Sequence, residues 1–278
     1  MLIKKYYNII FEDLWKDFEY KIKEWWDYYV FIIDNSIVYR FPKKEKNINE
    51  LEKEKKILDI LKENISINIP NIKIVWWIWY KYKIIPWNII KKISLIYLNK
   101  DDLNNILDDI VLFLKELHSI PINKFDFLKS EEADYNIYKD YLKNEIDIRL
   151  RWKVEYTYIK KLKLYIDDLF ALNFKEKALV HTDIQAKNII FDYQKNKISW
   201  IIDFSDCRLS WRENDFVHFL DWWEEIFENI IVKYLWFYDE DFVKTIKFLY
   251  KKTTIFEIMN DEIYKNNFNY LLEKIKNF

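Results

Sequence analysis

The stretch His181–Asp206, HTDIQAKNIIFDYQKNKISWIIDFSD, governs how the rest of the chain is read. It opens H-x-D and sets Asn188 five residues beyond Asp183. Two short apolar runs follow, separated by a polar turn, and the second leads into Asp203-Phe204. Phosphoryl transfer from a nucleotide needs a carboxylate that orients a hydroxyl nucleophile and takes its proton, and oxygen ligands that hold Mg²⁺ against the phosphates. Asp183 suits the first task, Asn188 and Asp203 the second.

Working outward, Tyr29–Ile33 and Ile37–Phe41 are β-rich runs joined by Asp34-Asn35-Ser36, a hairpin pattern. Ile48 to Glu63 carries Leu51, Leu58 and Leu61 on one side and predicts an amphipathic helix. Further strands are expected at Ile72–Val75 and Tyr80–Ile85, before Pro86-Trp87. The period then changes. Leu103, Ile106, Leu107, Ile110, Val111, Leu114 and Leu117 follow helical spacing behind Asp101 and Asp102. Helices are also expected from Glu131 to Trp152, from Tyr158 to Leu172, and over most of the chain after Asn214. The expectation is an α+β fold: a small sheet with one helix, then a larger helical part holding the β-insert that carries the polar residues.

H-x-D-x-x-x-x-N followed by I-D-F is the catalytic-loop and metal-loop order of the kinase fold. With VYRFPK (Val38–Lys43), LKELHSI (Leu114–Ile120) and ISWIIDFSDCRLSWRENDF (Ile198–Phe216), the chain resembles the aminoglycoside phosphotransferases, especially the 2''-phosphotransferase group. The resemblance implies a protein-kinase-like, two-lobed fold: residues 1–86 as a nucleotide-binding N-lobe with an antiparallel sheet and one helix, and 87–278 as a mainly helical C-lobe with the catalytic hairpin. It also implies ATP or GTP as co-substrate and Mg²⁺ as cofactor, with a hydroxyl of a cationic small molecule as acceptor. Asp183 would be the catalytic base and Asn188 and Asp203 the metal ligands. Arg40 stands where kinases place the phosphate-contacting lysine, with Glu54 as its ion-pair partner. His181 would brace the catalytic loop and Asp215 would support it. Asp221, Glu224, Glu225 and Glu228 form an acidic run where the family binds antibiotic, and opposite charge would concentrate a polycation. The same run also reads as a solvated helix face. A choline, homoserine, sugar or macrolide kinase, or a non-catalytic pseudokinase, are the alternatives.

Composition sets the outer bounds. Of 278 residues 51% are apolar and 33% charged, and the formal net charge is -1, which excludes a disordered chain and lacks the basic footprint of a general nucleic-acid binder. One cysteine, Cys207, points to a reducing compartment, and the charged N-terminus and the absence of a membrane-length apolar run predict a cytoplasmic protein, expected as a monomer.

Glycine is absent while tryptophan occurs 13 times. Average usage would supply roughly 19 glycines in a chain of this length. Arginine, alanine and proline, whose codons are GC-rich, are also scarce. Either the protein is Trp-rich and Gly-free, or it comes from an AT-rich genome whose UGA codons mean glycine and have been read as tryptophan. Trp25, Trp87, Trp200 and Trp211 match glycine positions of the resembled family, and Trp211 is expected in a turn. Thr182 and Ser205 likewise stand at small-residue positions.

Overall fold

The structure, a computed structural model, describes residues 2–24, 28–44, 46–75, 79–86, 88–91, 95–128, 135–171, 177–259 and 273. The chain groups into two units, Met1–Ile120 with Asp183–Cys207 and Pro121–Thr182 with Arg208–Phe278.

The first unit is built on a five-stranded antiparallel sheet of order β1-β2-β3-β5-β4, comprising β1 (Tyr20–Glu24), β2 (Tyr28–Ile33), β3 (Ile37–Pro42), β4 (Lys73–Val75) and β5 (Trp79–Lys83). The β2–β3 hairpin turns through Asp34 and Asn35, each at φ 48°, because both central residues of such a tight turn must be left-handed and Asp and Asn tolerate that region. In β3 every residue from Val38 to Pro42 is buried, as a central strand covered on both faces requires. One helix is expected before Pro86, yet the described residues there hold two. Besides α2 (Lys46–Leu61), α1 (Leu2–Leu14) precedes the sheet. Its Tyr6 and Ile10, one turn apart, close the face formed by Phe31, Ile33, Tyr39, Phe41 and Val75. Tyr6 stacks on Phe41 at 4.2 Å between ring centroids. Without α1 that aromatic face would stand in water.

α3 (Lys100–Ser119) starts where Asn99 accepts the Asp102 N–H at 2.8 Å, with Asp101 and Asp102 in the positive first turn. It buries Ile106, Leu107, Ile110, Val111, Phe113, Leu114 and Leu117. Against it lies the hairpin of β7 (Ile189–Asp192) and β8 (Lys197–Ile201). Asp109 of α3 accepts the Ile198 N–H at 3.0 Å, and backbone bonds from Phe191 to Asn88 (2.7 Å) and from Ile201 to Asn68 (3.0 Å) fix the hairpin on both sides.

In the second unit, α4 (Tyr135–Leu150) packs on α5 (Tyr156–Ala171), and Lys143 pairs with Asp167 at 2.6 Å. β6 (Lys177–Val180) pairs antiparallel with β9 (Arg208–Trp211). A 3-10 stretch (Arg212–Asp221), α6 (Glu224–Leu235) and α7 (Glu240–Met259) complete the unit, with Phe216 packed edge-on against Tyr234 and Phe242.

One tryptophan expectation changes. Trp200 lies inside β8 opposite Ile190, and Trp211 is the last residue of β9, not a turn residue, with φ -79° and ψ 135°. Neither backbone calls for glycine. β9 is hard to see in sequence because all four of its residues are half-buried and show no alternation. Trp25 and Trp87 fall outside the described residues. Left-handed backbone occurs instead at Trp15 and Trp236, and also at Asp34, Asn35, Thr182, Asn196 and Asp203.

Candidate active site

The first unit carries Arg40, Glu54, Asp183, Asn188 and Asp203 together. After Asp183 the chain makes a 3-10 turn, Ala186–Asn188, closed by the Asn188 N–H on the Gln185 carbonyl at 2.8 Å. Asn188 is thereby turned back onto Asp183. Its amide Nδ2 donates to the Asp183 carbonyl at 2.8 Å and to Asp183 Oδ2 at 2.9 Å. With both amide hydrogens so used, Oδ1 is the atom Asn188 can offer a cation. Gln185 Nε2 donates to Asp183 Oδ1, and Lys187 Nζ lies 3.0 Å from Oδ2. The Asp183 carboxylate is thus fixed by three neighbours from its own turn.

Asp203 reaches this turn through the hairpin. Antiparallel pairing sets Ile189 opposite Ile201, and Ile202 donates its N–H to the Asn188 carbonyl at 3.0 Å. Asp203 itself is left-handed at φ 72° and accepts from Ser205 Oγ at 3.0 Å. Its carboxylate and the Asn188 amide oxygen are hard donors suited to Mg²⁺, which keeps few protein ligands and takes the rest from phosphates and water. Among the described residues there is no group of three or more His, Cys, Asp or Glu that could hold a metal ion.

Arg40 sits in the central strand, with Val30 opposite on β2 and Tyr80 opposite on β5. Its guanidinium is 3.2 Å from Glu54 Oε2 and lies over the Tyr28 ring at 4.4 Å from the centroid. Glu54 is on the same stripe of α2 as Leu51, Leu58 and Leu61, so the helix face that packs on the sheet drives this carboxylate inside. Arg40 is 8% exposed and Glu54 2%. Burial alone would lower the Arg40 pKa, but Glu54, then Tyr82, Tyr28 and Asp203, push it well above its ordinary value, so the cation is held. Burial pushes the Tyr82 phenol up to about 12, opposed by Arg40 and assisted by Glu54 and Asp203. Asp203 and the Arg40–Glu54 pair therefore share one electrostatic neighbourhood.

In the second unit, His181 is fully buried, and the backbone N–H groups of His181 and Thr182 donate to the two oxygens of Asp215 at 3.0 and 2.6 Å. Thr182 is left-handed at φ 68°, unusual for a β-branched residue, and the buried Asp215 carboxylate holds it so. Of the acidic run, Asp221 is exposed and accepts from the Tyr250 hydroxyl at 2.6 Å. Glu224 and Glu225 are exposed in the first turn of α6, and Glu228 one turn later is half-buried.

Tyr28, Tyr82, Gln185 and Lys187 were not singled out from sequence. The two tyrosines are the diagonal cross-strand neighbours of Arg40, legible only once the β2–β3–β5 register is known. Gln185 and Lys187 were within reach, since the turn that returns Asn188 to Asp183 carries both.

A sheet with a buried Arg–Glu pair, followed by a helix-backed hairpin that brings an Asp, an Asn and a second Asp to one end, defines a phosphotransferase of the kinase-like fold. The chain belongs to the phosphotransferase enzyme family, matched over residues 26–245. Among solved structures it is similar to the GDP and kanamycin complex of APH(2'')-IIia, at 17% identity over 98% of this chain and 97% of that one, TM-score 0.81. It is likewise similar to ADP-bound aminoglycoside phosphotransferase APH(2'')-Ib, at 20% identity over 96% and 95%, TM-score 0.76. Macrolide 2'-phosphotransferase type I matches at 15% identity over 98% and 94%, TM-score 0.71. No curated protein sequence matches the chain. It is a phosphotransferase enzyme. Among the described residues no helix is long and apolar enough to cross a membrane.

Proposed function

We propose that the enzyme transfers the γ-phosphate of ATP or GTP to a hydroxyl of an aminoglycoside. The observation that carries this reading is the fixed Asp183 carboxylate, bonded to Asn188 and tied through Ile202 to Asp203. Asp183 orients the acceptor hydroxyl and takes its proton as the oxygen attacks phosphorus. Asn188 Oδ1 and Asp203 are the groups that would hold Mg²⁺, which when bound neutralises phosphate charge. Arg40, kept in place by Glu54 and Tyr28, contacts the nucleotide phosphates, with residues 1–86 as the nucleotide-binding lobe and 87–278 as the catalytic one. Asp215 and His181 hold the backbone that enters Asp183. Glu224 and Glu225, with Asp221 and Glu228, favour a polycationic acceptor. The likeness to a macrolide phosphotransferase supports a macrolide hydroxyl as the second reading.

Purified protein is offered Mg·ATP and Mg·GTP with kanamycin-type aminoglycosides, macrolides, choline and homoserine. Phosphorylated aminoglycoside, absent with Asp183→Ala, is the expected product. Turnover confined to another alcohol overturns the substrate assignment, and nucleotide binding without transfer to any acceptor overturns the catalytic one.

A further inference from the structure

Two helices end on tryptophans whose backbone is left-handed. α1 closes at Leu14, and Trp15, at φ 51°, donates its N–H to the Phe11 carbonyl at 2.8 Å. That bond, from the first residue beyond the helix to the carbonyl four back, is the left-handed C-terminal cap for which glycine is the usual residue. α6 closes at Leu235, and Trp236 follows at φ 71°, ψ -2°. A Cβ clashes with the following carbonyl in this conformation, and Asn or Asp compensate by local hydrogen bonds that an indole cannot make. Both side chains stand largely in solvent, Trp15 82% and Trp236 83% exposed. Trp is ordinarily among the well-covered residues. Trp222 shows the opposite fault, a buried indole nitrogen with no hydrogen-bond partner among the described residues.

A Trp-rich protein would place its indoles where aromatic area is covered and their N–H groups bonded. A chain whose UGA codons mean glycine would show some of them at exposed left-handed helix ends, where glycine is the usual residue. Trp15 and Trp236 follow the second pattern, in a chain of 278 residues with no glycine and 13 tryptophans. We infer that positions 15 and 236 are glycine in the natural protein, encoded by UGA. The chain written here replaces both left-handed caps with a residue that does not suit them. This inference stands apart from the choice of acceptor, because it rests on backbone geometry outside the candidate site.

The codons are the direct test. UGA at 15 and 236 is expected, and UGG at either position overturns the inference there. Stability gives a readout independent of the gene. Trp15→Gly and Trp236→Gly should each raise Tm by about 2–4 °C. Trp15→Ala and Trp236→Ala, which remove the indole but keep a Cβ, should each give less than half of that gain. Equal gains for Gly and Ala would assign the effect to the exposed indole and overturn the cap argument, as would a fall in Tm on introducing glycine.

Discussion

Two of the ion pairs in the first unit are nearly equal in length and do different work. Arg40–Glu54 closes at 3.2 Å with side chains 10% and 2% exposed, whereas Lys187–Asp183 closes at 3.0 Å with side chains 55% and 17% exposed. Distance alone would rank them alike. Environment separates them, because removing one member of a buried pair strands a charge where water cannot reach it, while an exposed partner simply rehydrates. The buried pair is therefore tied to the fold, and the open pair is left adjustable around the carboxylate that has to take a proton.

The largest effect separates chemistry from folding at the open pair. Asp183→Ala should lower kcat about 100- to 10,000-fold, the range for loss of a positioned general base. Its urea midpoint should move little, since Lys187 is already more than half exposed. A variant that unfolded instead, or kept near-normal turnover, would place Asp183 in the same class as Glu54.

Glu54→Ala should do the reverse in order of cause. The Arg40 guanidinium would remain buried and uncompensated, at a cost of about 3–5 kcal/mol in unfolding free energy, with activity lost as a consequence. Replacing both members, Arg40→Met with Glu54→Leu, should recover most of that stability while leaving nucleotide affinity abolished. Denaturant melts with nucleotide titration distinguish the two. If the double variant is as unstable as Glu54→Ala, hydrogen bonding and not the stranded charge holds this region together.

The contrast also explains what could be read from residues alone. The β2–β3 hairpin, α2, α3 and the β7–β8 hairpin are expected close to their observed positions because each has strong periodicity or a turn with the right residues. α1 is unexpected because Tyr6 and Ile10 acquire their meaning only from the sheet face they cover. At the site, Asp183, Asn188 and Asp203 announce themselves by order and spacing. Glu54 was legible only through the resemblance, which makes it the partner of Arg40. Tyr28 and Tyr82 were not, because a diagonal neighbour across a sheet depends on register, and register is a long-range property. The tryptophans divide on the same line. Trp200 and Trp211 looked like glycine sites from motif position, but β-strand backbone accepts any side chain there, whereas the helix ends at Trp15 and Trp236 were invisible until φ was known.

Alkaline titration probes the buried pair more gently. The Tyr82 phenol, ordinarily at 10.0, is pushed up to about 12 by burial, against the pull of Arg40. The folded state thus keeps the proton that the unfolded state releases first, so this residue's contribution is complete below pH 10 and is lost between pH 10 and about 12. Tyr82→Phe should make stability fall less steeply over that window and leave it unaltered at pH 7, as measured by urea midpoints across the range. An unchanged slope would mean that Tyr82 ionises with little regard for the Arg40–Glu54 neighbourhood.

The smallest effect is expected where the contact is shortest. Lys187→Ala removes the cation 3.0 Å from Asp183, yet stability should change by no more than about 0.5 kcal/mol, since Asn188 and Gln185 still bond the carboxylate. Salt provides an internal control. Raising ionic strength from 0.1 M to about 1 M shortens the screening length from about 10 Å to 3 Å, which should erase even that difference at Lys187. The Glu54→Ala deficit, lying out of reach of mobile ions, should persist. A Lys187→Ala loss of several kcal/mol that survives high salt would show that the open pair is a structural clamp like the buried one, and exposure would then be a poor guide to which charges this fold depends on.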